Sequence, residues 1–179
     1  EHAFAGYGKL VGQVLVTVSA GGGIAPIASL LLWIATCGGH MFLLVGELRG
    51  AAPQRGMLLT RLWRAAREKA FPDFQRRMGY TFEEDCNYFR NVVLANNDVY
   101  VIEADKRVAG FIAIAGDFVD QLYIHPDFQR NGFGKMLLDY AMQLSPEHVW
   151  LYTLQINTNG RAFYEKNGFV AVRFGVSPA

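Results

Sequence analysis

The segment that most limits the fold runs from residue 118 to residue 144. Residues 118–124 have the apolar, β-branched and aromatic character of a strand, and Met136, Leu137, Tyr140, Ala141 and Leu144 recur at helical spacing. Between them the chain reads His125-Pro126-Asp127-Phe128-Gln129-Arg130-Asn131-Gly132-Phe133-Gly134-Lys135. A further strand-like run follows at 149–154, so strand, loop, helix and strand succeed one another, an order that favours a parallel pair. Two glycines at a helix entrance let backbone approach a ligand closely, and the unpaired N–H groups of the first turn form an anion site reinforced by the helix dipole. Arg130 and Lys135 add positive charge there. The pattern is neither a P-loop nor the full dinucleotide fingerprint, and on these residues alone a loop chosen only for its turn geometry stays open.

The rest of the chain alternates in the same way. Residues 43–48 read as a strand, and the Pro and Gly of 51–56 as a connection. Leu58, Leu62, Ala66 and Ala70 predict an amphipathic helix that ends before Pro72. Phe82, Cys86, Phe89 and Val93 predict a second helix, with Glu83, Glu84 and Asp85 at its favourable end. Residues 99–102 and 108–115 predict an antiparallel hairpin turning at Asp105-Lys106. Residues 159–166 predict a short helix closed by Asn167-Gly168, and 169–174 a last strand. There is no internal repeat.

Composition separates two regions. The 179 residues carry 17 basic and 16 acidic side chains, and residues 1–45 hold only Glu1 and Lys9 among them. We therefore set 1–42 apart as an apolar, Gly-rich extension and treat 43–179 as the domain. Residues 24–45 are long enough to cross a bilayer, yet Gly21, Gly22, Gly23 and Pro26 interrupt the apolar run and residues 11–18 suit a buried strand. A membrane span or re-entrant anchor, with contact through 10–45, a buried apolar extension and an appendage to the domain remain as alternatives. A net charge of +1 gives no electrostatic reason to expect a nucleic-acid partner. Cys37 and Cys86, with His2, His40, His125 and His148, make no ligand-like spacing, so neither a metal nor a disulfide is expected.

Gln129-x-x-Gly132-x-Gly134 after a Leu-Tyr-Ile-His-Pro strand end, followed by Asn157 and then by Phe163-Tyr164-Glu165-Lys166-Asn167-Gly168-Phe169, closely resembles the GNAT family of N-acetyltransferases. The resemblance covers about residues 43–174. It implies an α/β fold with a mixed, mostly antiparallel central sheet flanked by helices, and it implies acetyl-CoA as acyl donor. Gly160 stands where the family usually has alanine, and the chain ends before an obvious seventh strand, which in the family completes a C-terminal hairpin.

Carried over residue by residue, the resemblance assigns the pyrophosphate to the loop of Gln129, Arg130, Asn131, Gly132, Phe133, Gly134 and Lys135. The backbone of Leu122, Tyr123 and Ile124 would pair with pantetheine, and Asn157 would contact the cofactor arm unless it only caps a helix. Tyr164 matches the position that protonates the leaving thiolate. A phenol near pKa 10 against a thiol near 8.5 can donate while staying neutral. Asp120 is the candidate general base; strand alternation puts it on the face of Leu122 and Ile124, with an exposed strand acid as the alternative. His125 reads as a turn residue, Glu165 and Lys166 as a solvated helix face, and Trp150 and the tyrosines carry no specific acceptor signature. The expected activity is metal-free acetyl transfer to a primary amine, on a small molecule or a peptide, in a ternary complex. A CoA-binding module without turnover and a membrane-associated interaction protein are the alternatives. The catalytic domain is expected in the cytoplasm.

Overall fold

A computed structural model describes residues 12–18, 34–37, 40–45 and 53–176, with side chains at 55–73 and 76–175. Among the described residues eight strands form one sheet. They are β1 (Gly12–Val18), β2 (Ile34–Cys37), β3 (His40–Val45), β4 (Asp98–Ala104), β5 (Arg107–Ala115), β6 (Phe118–Ile124), β7 (Val149–Leu154) and β8 (Val170–Val176). Their order is β2-β3-β4-β5-β6-β7-β1-β8. All neighbours are antiparallel except β6 and β7, the pair that the intervening helix makes parallel.

Two strands from the charge-free N-terminal region lie far apart in this sheet. β2 is one edge strand, whereas β1 sits between β7 and the other edge, β8, and is the ladder partner of both. The strand after the last helix is thus joined to the sheet by a strand from the other end of the chain. No helix among the described residues is long and apolar enough to cross a membrane.

The helices are α1 (Pro53–Ala70), α2 (Phe74–Met78), α3 (Phe82–Tyr88), α4 (Leu94–Asn96), α5 (Phe133–Leu144) and α6 (Thr158–Lys166), with a π turn at Phe89–Val93 joining α3 to α4. They give the sheet two cores. On one face Phe133, Leu137, Leu138 and Ala141 of α5 pack on Ile112, Ile114, Val119, Val149 and Leu151, with Phe163 and Tyr164 of α6 against them. On the other, Leu59, Leu62 and Trp63 of α1 and Phe89 and Val93 of the π turn cover Val99, Val101, Phe111 and Ala113.

The stripe of α1 is rotated from the spacing of four read in the sequence. Leu58 is exposed and Leu59, Leu62, Trp63 and Ala66 are buried, because bulky Trp63 sets which face meets the sheet. Asp85 is also buried rather than solvated at its helix end, paired with Arg64 of α1. The β4–β5 hairpin turns where expected: Asp105 and Lys106 take φ of 51° and 61°, the left-handed pair that matches strand twist.

Candidate functional site

The β6–β7 ladder is short. Only Phe118↔Trp150 and Val119↔Leu151 are in register, after which the strands part. On its other side β6 stays paired to β5 as far as Gly110↔Ile124. One backbone edge of residues 120–124 therefore faces an opening, with polar groups that need a partner. Gly110 makes the opposite side tight, since a Cβ there would stand 2.3 Å from Ile124 Cδ1 and 2.8 Å from the Tyr123 carbonyl oxygen. Sequence patterning passed over this glycine.

Past Ile124 the chain makes a single 3-10 turn at Pro126–Phe128, capped by His125, whose Nδ1 accepts from the Asp127 N–H at 3.2 Å. Gln129 Nε2 donates to the Ile124 carbonyl at 3.1 Å, and Asn131 Nδ2 to the Phe128 carbonyl at 3.3 Å. Both side chains thus shape the loop. Arg130 and Gly132 adopt left-handed φ of 66° and 86°, reversing the chain into α5. α5 has no side-chain cap, and its first internal bond runs from Met136 N–H to the Gly132 carbonyl. The N–H groups of the first turn have no partner within the helix ladder and lie at the positive end of its dipole.

The two glycines of the loop do different work. A Cβ on Gly132 would meet nothing within 4 Å, so space on the ligand side is open and the constraint is its left-handed backbone. A Cβ on Gly134 would touch the Phe163 ring at 3.4 Å and Ile124 Cγ1 at 3.7 Å, so this glycine lets α5 approach α6. Phe133 is buried in the core and Lys135 Nζ is held by Asp139 at 2.6 Å, so both side chains are engaged within the fold.

Asn157 caps α6. Its Oδ1 accepts from Gly160 N–H at 3.0 Å while its Nδ2 donates to Thr153 Oγ1 at 3.3 Å, tying β7 to the helix. An alanine Cβ at 160 would lie 2.3 Å from Asn157 Nδ2, so Gly160 is what admits this cap.

Tyr164 packs against Phe163 and Phe169, with ring centroids 5.2 and 5.7 Å away. Burial, and then the neighbouring Tyr123 phenol, push its own phenol well above the ordinary tyrosine value. It holds its proton at neutral pH. Tyr123 contributes more than backbone: its ring packs on Phe111 and Trp63 in the core under α1. Burial raises its pKa too, against the charge of Arg67, which is buried over the Trp63 ring at 4.1 Å.

Asp120 departs from simple alternation. The register passes from Ala113↔Gln121 to Ile114↔Val119, leaving Asp120 as the extra residue of a β-bulge. Leu122 and Ile124 lie against the α5 core, but Asp120 turns to the α1 face, where Asn97 Nδ2 donates to its Oδ2 at 3.1 Å. Its Oδ1 is buried and has no partner among the described residues. Burial raises the Asp120 pKa, with Asn97 and Gln121 opposing, as suits a carboxylate that takes up a proton. Neither the bulge nor Asn97 has a local sequence signal.

The Gly132 loop thus follows the open strand edge, while the Tyr164 phenol lies on the α6 face of the sheet and the Asp120 carboxylate on the α1 face. Residues 95–171 match the family described as acetyltransferase (GNAT) domain. By this match the chain is similar to GNAT acetyltransferases over those residues. It is 28% identical over 124 residues to peptidyl-lysine N-acetyltransferase YjaB of Salmonella typhimurium, covering 69% of this chain and 82% of that protein. It is 36% identical over 92 residues to peptidyl-lysine N-acetyltransferase YiaC of Escherichia coli, covering 47% of this chain and 62% of that protein. In fold the chain is similar to the PaiA N-acetyltransferase of Thermoplasma acidophilum, solved with coenzyme A, at a TM-score of 0.51 and 19% identity over 70% of this chain and 87% of that one. No group of His, Cys, Asp and Glu among the described residues could hold a metal ion.

Proposed function

We propose that this chain transfers acetyl from acetyl-CoA to a primary amine of a peptide by direct attack in a ternary complex. The observation that carries the reading is the continuous backbone track formed by the unpaired edge of residues 120–124, the Gly132 reversal and the uncapped start of α5. The first-turn N–H groups suit a pyrophosphate, and the strand edge suits the two amides of pantetheine. The names of YjaB and YiaC favour peptidyl lysine as the acceptor class.

In this reading the thioester lies in the gap with the two proton-transfer groups on opposite sides. Asp120 accepts a proton from the incoming ammonium, directly or through water. The neutral amine then attacks the thioester carbonyl, its lone pair forming the C–N bond. Collapse of the tetrahedral adduct breaks the C–S bond, the attacking nitrogen gives its second proton to water to leave the amide, and Tyr164 gives its proton to the departing thiolate. Tyr164 is reprotonated from solvent.

The test is incubation of the full chain with acetyl-CoA and a lysine-containing peptide, following free thiol release and the mass of the peptide. Equimolar thiol and acetyl-peptide are expected, with both suppressed in Tyr164→Phe. A folded chain that binds acetyl-CoA yet acetylates no peptide would overturn the activity, and an equally active Tyr164→Phe would remove the acid.

A further inference from the structure

Three aromatic side chains beside this gap belong to neither buried core. Along β7, Val149 and Leu151 point into the α5 core and Thr153 is buried with them, which puts Trp150 and Tyr152 on the opposite face. Phe118, one strand over, meets both. Its ring centroid lies 4.3 Å from Trp150 and 6.1 Å from Tyr152, and Trp150 and Tyr152 are 5.6 Å apart at 87°. All three are only half-buried. They are not packed among the core residues under α1 and the π turn either.

The cluster is held from below. Trp150 Nε1 donates to Asp117 Oδ1 at 2.9 Å, and His148 Nδ1 lies 3.0 Å from Asp117 Oδ2. The indole is therefore fixed by its edge, with the Phe118 ring against it. Phe118 and Trp150 are also the first pair of the β6–β7 ladder, so the cluster marks the closed end of the gap. Asp120, two residues beyond Phe118, faces the same side with its unpartnered Oδ1.

We propose that Phe118, Trp150 and Tyr152 form the acceptor subsite, receiving the aliphatic stem and ammonium of a peptidyl lysine and aiming its nitrogen at Asp120. The inference rests on the transferase reading above and adds the residues that receive and select its acceptor. Aromatic faces attract both alkyl stems and cations, and two carboxylates within the same patch favour a positive ligand. An acceptor on this face approaches the thioester from the side opposite Tyr164, leaving the thiolate path clear.

The test compares the full chain with Trp150→Ala, Trp150→Phe and Tyr152→Ala, the last of which keeps the hydrogen bond to Asp117. KM for a lysine peptide should rise about tenfold in the alanine variants and little in Trp150→Phe, with KM for acetyl-CoA unchanged. Calorimetric titration of the same peptide, which needs no turnover, should show the same ranking. If the wild type binds the peptide without acetylating it, and the alanine variants lose binding, the transferase reading fails while the subsite stands. Equal peptide affinity in wild type and both alanine variants overturns the subsite, as does an equal rise in KM for acetyl-CoA. Selection of free diamines over peptides by the wild type would overturn the peptidyl class.

Discussion

The two faces of the sheet are built by different means. On the α5–α6 face, the elements proposed to meet the donor are made from two short stretches, 122–135 and 157–169, and the groups they would offer are mostly backbone. On the α1 face, the groups that would meet an acceptor come from places distant in sequence: Asp120 from a bulge, Asn97 from the end of α4, Phe118 and Trp150 from adjacent strands. Recognition of a constant donor needs only a fixed loop shape, which local residues dictate. Recognition of an acceptor needs side chains assembled by tertiary contact.

The largest test of this contrast is Tyr164→Phe. A general acid contributes about 10²–10⁴ in rate, so kcat should fall by that order with acetyl-CoA affinity unchanged by calorimetry. Retained kcat would mean that the α6 face supplies only donor binding.

Asp120→Asn comes next, with a fall of about 10² in kcat/KM for the amine. Burial raises the Asp120 pKa, so the wild-type rate should drop on acidification at a pH above the ordinary carboxylate range. The asparagine variant should lose that acid limb. The sign for stability is opposite to that of a salt-bridged carboxylate. A group whose folded pKa is raised costs the fold stability once ionised, and this cost develops as pH rises from its unfolded to its folded value. Asp120→Asn should accordingly keep or raise Tm at neutral pH. A fall in Tm would mark Asp120 as structural.

Gly132→Val should act on the donor alone. A β-branched residue in the left-handed region costs about 1–2 kcal/mol, which predicts acetyl-CoA affinity weakened by about 5- to 30-fold. The smallest expected effect belongs to Asn157→Ala, about 1 kcal/mol of stability from the lost α6 cap, read as a lowered Tm. A large loss of acetyl-CoA affinity there would instead assign Asn157 to the cofactor arm.

The same contrast explains what could be read before the structure. The parallel β6–β7 pair, the α5 loop and the turn at Asp105-Lys106 follow from local rules of spacing, capping and turn chemistry, whereas Tyr164 is singled out only by the family resemblance. Asp120 could be picked out but not oriented, because a bulge reverses alternation without changing composition. Gly134 was read beside Gly132 as a phosphate glycine, although its missing Cβ accommodates Phe163. Asn97, Gly110 and the pairing of Phe118 with Trp150 depend on which strands become neighbours. The place of β1 between β7 and β8 depends on the whole sheet, and no charge pattern in residues 12–18 announces it.

Amide hydrogen exchange of the full chain with and without acetyl-CoA reads whether backbone in the β6–β7 opening holds the donor. Slowed exchange concentrated at 121–124 and 132–135, with little change in α1, is the predicted result. Binding of acetyl-CoA with no protection in those two segments would contradict it.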